Sequence, residues 1–248
     1  MNQKMVIEAD IVAGAGGRKV ALVTGGAIRV GRAIARLLGE SSAVAVHCYQ
    51  SVEEGEALCA TLPDATLFSA DLTRPGAAGH LVDAVIERFG RLDLLVNNAA
   101  LFIPDVAPVQ ELARMKVLNV DAPARLIDGA LPHLEKTGGA VVLIADVAAL
   151  APFQRFRAYS ASKAALLSLC AERALALAEC GVRINAVCPG IVLPPDEPSD
   201  ALLAAIPLRR FGTPDDVAKL VDFLFRSTFI TGQTIAVDGG RLLRMNRK

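Results

Sequence analysis

Short apolar runs and amphipathic stretches alternate along this chain from residue 19 to residue 237, and few architectures accept that order. Residues 19–24, 43–48, 66–70, 93–97, 139–144, 182–187 and 233–237 read as strands, and most of these runs are apolar at successive positions, as strands buried on both faces are. Between them, residues 29–38, 53–61, 77–89, 109–134, a stretch through Tyr159 to about residue 180, and 215–225 carry a helical pattern, with Gly90 well suited to end the third helix. A strand–helix–strand rhythm implies right-handed crossovers, a parallel sheet and helices on both of its faces. The expectation is α/β: a single doubly wound domain with a seven-stranded parallel sheet flanked by helices, without internal repeat or interdomain linker.

At 248 residues and 53% apolar content the chain can build one sizeable core. Its formal charge is zero, which gives no reason to expect a nucleic acid or an anionic membrane as partner. No apolar run reaches the ~18 residues of a membrane span, and no secretory signal opens the chain. The cysteines (Cys48, Cys59, Cys170, Cys180, Cys188) contain no C-x-x-C pair and read as reduced, mostly buried thiols of a cytoplasmic protein. His47, His80 and His133 show no ligand spacing, so no metal site is expected. Residues 1–17, broken by Gly14, Gly16 and Gly17, read as a flexible N-terminal tail, and 18–248 as the domain. Within it a proline-rich loop over about 190–212 (Pro194, Pro195, Pro198) reads as a substrate lid.

Three stretches carry chemistry. Tyr159 and Lys163 stand one helical turn apart and can aim both polar tips at one point. An ammonium beside a phenol favours the phenolate, and a phenol so tuned can donate or accept a proton. The turn Thr24 to Gly31 leaves the first strand and enters a helix. Its glycines, Gly25 above all, let the backbone approach a pyrophosphate, and Arg29 stands where a further glycine is usual, as a fork for a phosphate. The second strand ends His47-Cys48-Tyr49-Gln50-Ser51 with no acid to hold a ribose hydroxyl, which favours NADP over NAD, the extra phosphate leaning on Arg29, His47 and Ser51.

Taken together, the glycine-rich turn, Asp71-Leu72, Asn97-Asn98-Ala99, Asn119, Tyr159-x-x-x-Lys163, Pro189-Gly190 and Asp238-Gly239-Gly240 resemble the short-chain dehydrogenase/reductase family over nearly the whole chain, and so imply a Rossmann-type fold. The resemblance implies a cofactor site built from Gly25, Ile28, Arg29, Val30, His47, Tyr49, Ser51, Asp71, Leu72, Asn98, Ala99, Tyr159, Lys163, Pro189 and Gly190. It implies Asn119 as support of the proton relay. Most of that family carries a serine thirteen residues before the tyrosine, where this chain has Asp146. That exchange, the Thr-Gly-x-x-x-Arg-x-Gly turn and the aromatic Phe102 are similar to the pteridine and dihydromonapterin reductases. This narrower resemblance implies NADPH-dependent reduction of a dihydropterin, Phe102 stacked on the pterin, Asp146 and Tyr159 orienting it and delivering the proton, and Arg244 reaching a neighbouring subunit of a homotetramer. Departures stand beside it: Gln50 replaces a basic residue common in that subgroup, and the lid offers no assignable substrate contact. The alternative is an alcohol dehydrogenase or ketoacyl reductase acting on a carbonyl. A third reading, a cofactor-binding scaffold, is disfavoured because Tyr159 and Lys163 are both present.

Overall fold

Strands apolar on both faces demand cover on both sides, and the chain supplies it. The structure, a computed structural model, describes residues 17–197 and 199–245. The tail expected over residues 1–17 lies, apart from Gly17, outside them. The strands β1 (Val20–Val23), β2 (Ala43–Cys48), β3 (Ala65–Ser69), β4 (Leu94–Asn97), β5 (Ala140–Ile144), β6 (Arg183–Pro189) and β7 (Thr234–Val237) form one sheet in the order β3-β2-β1-β4-β5-β6-β7. All neighbours are parallel. Each expected strand is present, with bounds shifted by one or two residues.

The helices are α1 (Arg29–Gly39), α2 (Val52–Cys59), α3 (Ala77–Phe89), α4 (Val109–Lys116), α5 (Ala122–Thr137), α6 (Arg157–Glu179), α7 (Asp200–Ala204), α8 (Pro214–Arg226) and α9 (Arg241–Met245). Strand alternation assigns the faces. Ala21 and Val23 of β1 point toward α1 and α8, together with Ile34, Leu38, Val221 and Leu224. Val20 and Leu22 point toward α3, α5 and α6, together with Leu81, Leu126 and Leu166. Leu22 and Leu95 are fully buried, each contributing about 2 kcal/mol of apolar transfer. Among the described residues no helix is long and apolar enough to cross a membrane, and no three side chains are grouped as a metal site.

Two departures from the sequence reading matter. The single helix expected over 109–134 is α4 and α5 joined by a π-helical turn, Val117–Asp121, that holds Asn119. The segment expected to be a lid contains the short α7, capped by Ser199, whose hydroxyl accepts from the Leu202 amide. The strand order reverses between β1 and β4, and register sets Val23 level with both Val46 and Val96. The carboxyl ends of β1, β2 and β4 therefore open onto one crevice, which is where such a sheet binds ligands.

Candidate active site

Asp146 stands two residues beyond the end of β5. Its Oδ1 accepts the Ala148 amide at 2.7 Å, which caps the 3-10 turn Val147–Ala149 and fixes the carboxyl. Its Oδ2 accepts from the Tyr159 hydroxyl at 2.9 Å. Tyr159 stands in the first turn of α6, and Lys163 one turn on is buried with Nζ donating to the Ile144 carbonyl at 2.8 Å. The three expected side chains thus converge, although in a different order of influence. The carboxylate, not the ammonium, bonds the phenol. Burial, then the charge of Asp146 and its hydrogen bond, pushes the Tyr159 phenol above its ordinary range. The expected lowering by Lys163 is overturned: that ammonium is tied to Ile144 and lies 5.9 Å from the ring centre. Burial also draws Lys163 down to about 8. It raises the Asp146 carboxyl against the opposing pull of the Ala148 amide, Tyr159, Lys163 and Arg241.

Asn119 does not touch this trio. Its carboxamide brackets Leu101, accepting from the amide at 2.8 Å and donating to the carbonyl at 2.9 Å, and also donates to Ser162 Oγ at 3.0 Å. Ser162 in turn donates to the Tyr159 carbonyl at 2.7 Å. Asn119 is therefore a brace between the loop of Phe102 and the helix of Tyr159. Phe102 stacks on Phe156 with ring centres 4.2 Å apart and meets Tyr159 edge-on at 4.6 Å, while remaining 57% exposed. It forms an apolar wall beside the phenol.

Asp105 has no local sequence signal, because its partners lie more than fifty residues away. Its two oxygens accept the Arg157 and Ala158 amides at 3.0 Å each, supplying the cap that Phe156 cannot give α6. Those bonds hold its carboxyl below the usual range. A second residue that the sequence left unassigned is Arg241, whose guanidinium carbon lies 5.5 Å from the Phe153 ring centre and whose charge reaches Asp146. Arg244, expected to reach another subunit, donates within its own chain to the Ala204 carbonyl.

At the phosphate end, Thr24 Oγ1 accepts the Asn98 and Ala99 amides at 2.9 and 3.1 Å, and Asn98 Nδ2 donates to the Thr24 and Gly25 carbonyls at 2.9 and 3.0 Å. Asn98 and Ala99 thereby staple β4 to the glycine turn. A Cβ on Gly31 would meet the Gly25 carbonyl oxygen at 2.0 Å, so the turn admits only glycine there. Arg29 takes the left-handed backbone, φ 55°, that a glycine would adopt freely. Ile28 offers no side-chain cap and no acid sits in the first turn of α1, which leaves Val30 and its neighbours as amide donors for an anion.

Both ring nitrogens of His47, expected to help hold a phosphate, have backbone partners. The Gly25 amide donates to its Nδ1 at 3.2 Å and its Nε2 donates to the Ala70 carbonyl at 3.0 Å. Burial lowers its pKa to about 4, so the ring is neutral and shapes the turn. Tyr49 is exposed under the Arg114 guanidinium, 5.5 Å from the ring centre, and Ser51 precedes α2. Asp71 accepts the Thr73 amide at 3.0 Å and its hydroxyl at 2.6 Å, while the Leu72 side chain belongs to the core. Pro189 ends β6, and Gly190 presses on Asp238 so closely that a Cβ would meet its Cα at 2.8 Å. These residues surround the crevice at the strand ends. A tight glycine turn, uncapped helix amides and an exposed guanidinium together fit a dinucleotide's phosphates.

Comparison with known proteins agrees with this geometry. A family model described as enoyl-(acyl carrier protein) reductase matches residues 26–241. The chain is 38% identical over 239 residues to a Streptomyces violaceoruber protein named "Granaticin polyketide synthase putative ketoacyl reductase 2", covering 89% of this chain and 95% of that one. It is 33% identical over 246 residues to human dehydrogenase/reductase SDR family member 4, covering 92% and 88%. It is 34% identical over 247 residues to L-fucose dehydrogenase of Bos taurus, covering 93% and 92%. None of these three names mentions a pterin, so the expected pteridine-reductase subgroup goes beyond what they show. With the parallel sheet, the glycine turn and the Tyr159–Lys163 pair in place, the chain belongs to the short-chain dehydrogenase/reductase family and is a nicotinamide-cofactor oxidoreductase.

Proposed function

We propose that the protein reduces a carbonyl group at the expense of NADPH. The observation that carries the reading is the 2.9 Å hydrogen bond from Tyr159 to Asp146 at the mouth of the cofactor crevice, with Lys163 one turn behind. The names of the relatives, a ketoacyl reductase and two dehydrogenases, support a carbonyl substrate. The cofactor supplies the hydride when bound. The substrate oxygen, gaining the carbonyl electron pair, takes the phenol proton of Tyr159. Asp146, accepting the phenol's hydrogen bond, orients Tyr159, and solvent returns the proton. Lys163 holds the relay from below through Ile144 and offers its ammonium to the ribose. Preference for NADPH rests on Arg29 and Ser51, since β2 ends without a carboxylate. Assembly as a homotetramer accompanies the reading, and Leu175, 73% exposed on α6, offers it an apolar contact.

One observation favours a second reading, reduction of a dihydropterin C=N bond. Asp146 replaces a hydroxyl by a carboxyl that can hold ring nitrogens, and Phe102 and Phe156 present flat apolar faces beside it. Oxidation of NADPH, with NADH as control, separates the two when ketones, aldehydes, dihydromonapterin and dihydrobiopterin are offered side by side. Turnover of carbonyls alone supports the first reading, and turnover of dihydropterins alone replaces it by the second.

A further inference from the structure

Arg241 is placed with unusual care for a surface cation. It opens α9 directly after Asp238-Gly239-Gly240. Asp238 accepts the Gly240 amide at 2.8 Å and the Leu242 amide at 2.7 Å, so its carboxylate fixes the first turn of that helix. Asp238 is itself wedged against Gly190 at the end of β6. The guanidinium lies over Phe153, 5.5 Å from the ring centre. Phe153 packs with Met115, Ala148 and Tyr159, the cluster around the phenol, and its amide donates to Ser160 of α6 at 3.1 Å. Arg241 Nε is buried and meets no acceptor, and the guanidinium forms no ion pair, among the described residues. Asp146 is the acid that feels its charge, and that carboxyl is already bonded to Tyr159 and the Ala148 amide.

A guanidinium presents five donors in one plane and pairs best with a group carrying two coplanar oxygens. Backed by an aromatic ring and half-buried, it recognises a carboxylate far better than a neutral carbonyl. We propose that Arg241 is a specificity-determining residue that binds a carboxylate on the substrate, so that the physiological substrate is an oxo acid and not a neutral ketone. The inference rests on the carbonyl-reductase reading for the identity of the reacting group, but the anion site stands on Arg241 and Phe153 alone.

The test uses benzoate and benzamide, equal in shape and different in charge, titrated calorimetrically into the full protein saturated with NADP+. Benzoate binding at least about tenfold tighter than benzamide is expected, with that preference lost in Arg241→Ala and partly restored in Arg241→Lys, since a charge-assisted bond is worth that factor or more. Equal binding of the two probes, or a preference that survives Arg241→Ala, overturns the inference. Reduction of a neutral methyl oxo ester is measured alongside. An ester that turns over while benzoate ignores Arg241 sinks the carboxylate site and leaves the reductase reading standing. Benzoate binding that depends on Arg241 with no carbonyl reduced does the reverse.

Discussion

The Tyr159 hydroxyl gives its hydrogen bond to Asp146 Oδ2, 2.9 Å away, and not to any neutral group. A carboxylate in that place works against ionisation of the phenol, where a serine would be indifferent. The pair therefore holds its protons more tightly than Tyr159 and Lys163 alone would, and this suits a site that delivers protons in the reducing direction.

Replacing Asp146 by serine removes a negative charge and an acceptor from beside the phenol. Tyr159 then ionises at lower pH, so the alkaline limb of the kcat/KM profile moves to lower pH than in the parent protein. Asp146→Ser keeps carbonyl turnover under the first reading and loses dihydropterin turnover under the second. Asp146→Ala leaves the phenol without its acceptor and lowers kcat by roughly a hundredfold, the scale of a misplaced acid–base group, with NADPH affinity unchanged. Parallel loss of kcat and NADPH affinity, read by fluorescence titration, would make Asp146 a purely structural cap.

His47 supplies a pH dependence of stability. Its pKa in the fold is lowered to about 4 from an ordinary 6.5, so the unfolded chain binds a proton that the folded chain refuses. Its contribution is complete above about 6.5 and is lost as pH falls toward 4, on the order of 3 kcal/mol in all. His47→Gln keeps an acceptor for Gly25 and flattens that slope in urea melts between neutral pH and 4.5. The ratio of NADPH to NADH affinity stays as it was, because both ring nitrogens are engaged by Gly25 and Ala70.

Arg29 combines a backbone burden with a ligand role. Its left-handed conformation costs a non-glycine residue about 1 kcal/mol, and glycine brings a similar loss through the freedom of its unfolded chain. Arg29→Gly therefore melts within a few degrees of the parent protein, while NADPH affinity falls about tenfold relative to NADH, the worth of one phosphate–guanidinium pair. An unchanged cofactor ratio would remove Arg29 from the phosphate site.

Asp105 ties the loop of Phe102 to the start of α6. Asp105→Ala frees the Arg157 and Ala158 amides, and amide exchange speeds up at residues 102–106 and 155–158 with little change in the sheet. Turnover falls through misplacement of Phe102 and Tyr159, and cofactor affinity holds. Its carboxyl lies below the usual range, so this contact persists at neutral pH and is lost as pH falls through that lowered value. Asp105→Asn, which keeps one acceptor oxygen, retains part of the protection.

The sheet was legible because its inner strands are buried throughout and apolar at nearly every position, a pattern that survives any local context. β7, half-exposed, was legible from its place in the rhythm. The trio of Asp146, Tyr159 and Lys163 was legible from spacing, but the direction of the phenol's shift was not, since that depends on which neighbour bonds it. His47 looked like a ligand because a strand-end histidine gives no hint that both its nitrogens are taken by Gly25 and Ala70. Asp105 could not be found by any search for a nearby helix start, since the helix it caps begins fifty residues on. Arg241 carried one available signal, a cation directly after Asp238-Gly239-Gly240, but only the fold brings that segment beside Phe153. The short α7 and α9 lie below the length at which periodicity speaks.

The π-helical turn at residues 117–121 makes the chain one residue longer than an ordinary helix would need. Drawn back to α-helical pitch, this turn would aim its own residues in other directions. Asn119 would then face away from Leu101 and Ser162, and the two halves of the site would lose their common reference. The brace between the loop of Phe102 and the helix of Tyr159 thus depends on the pitch of this one turn.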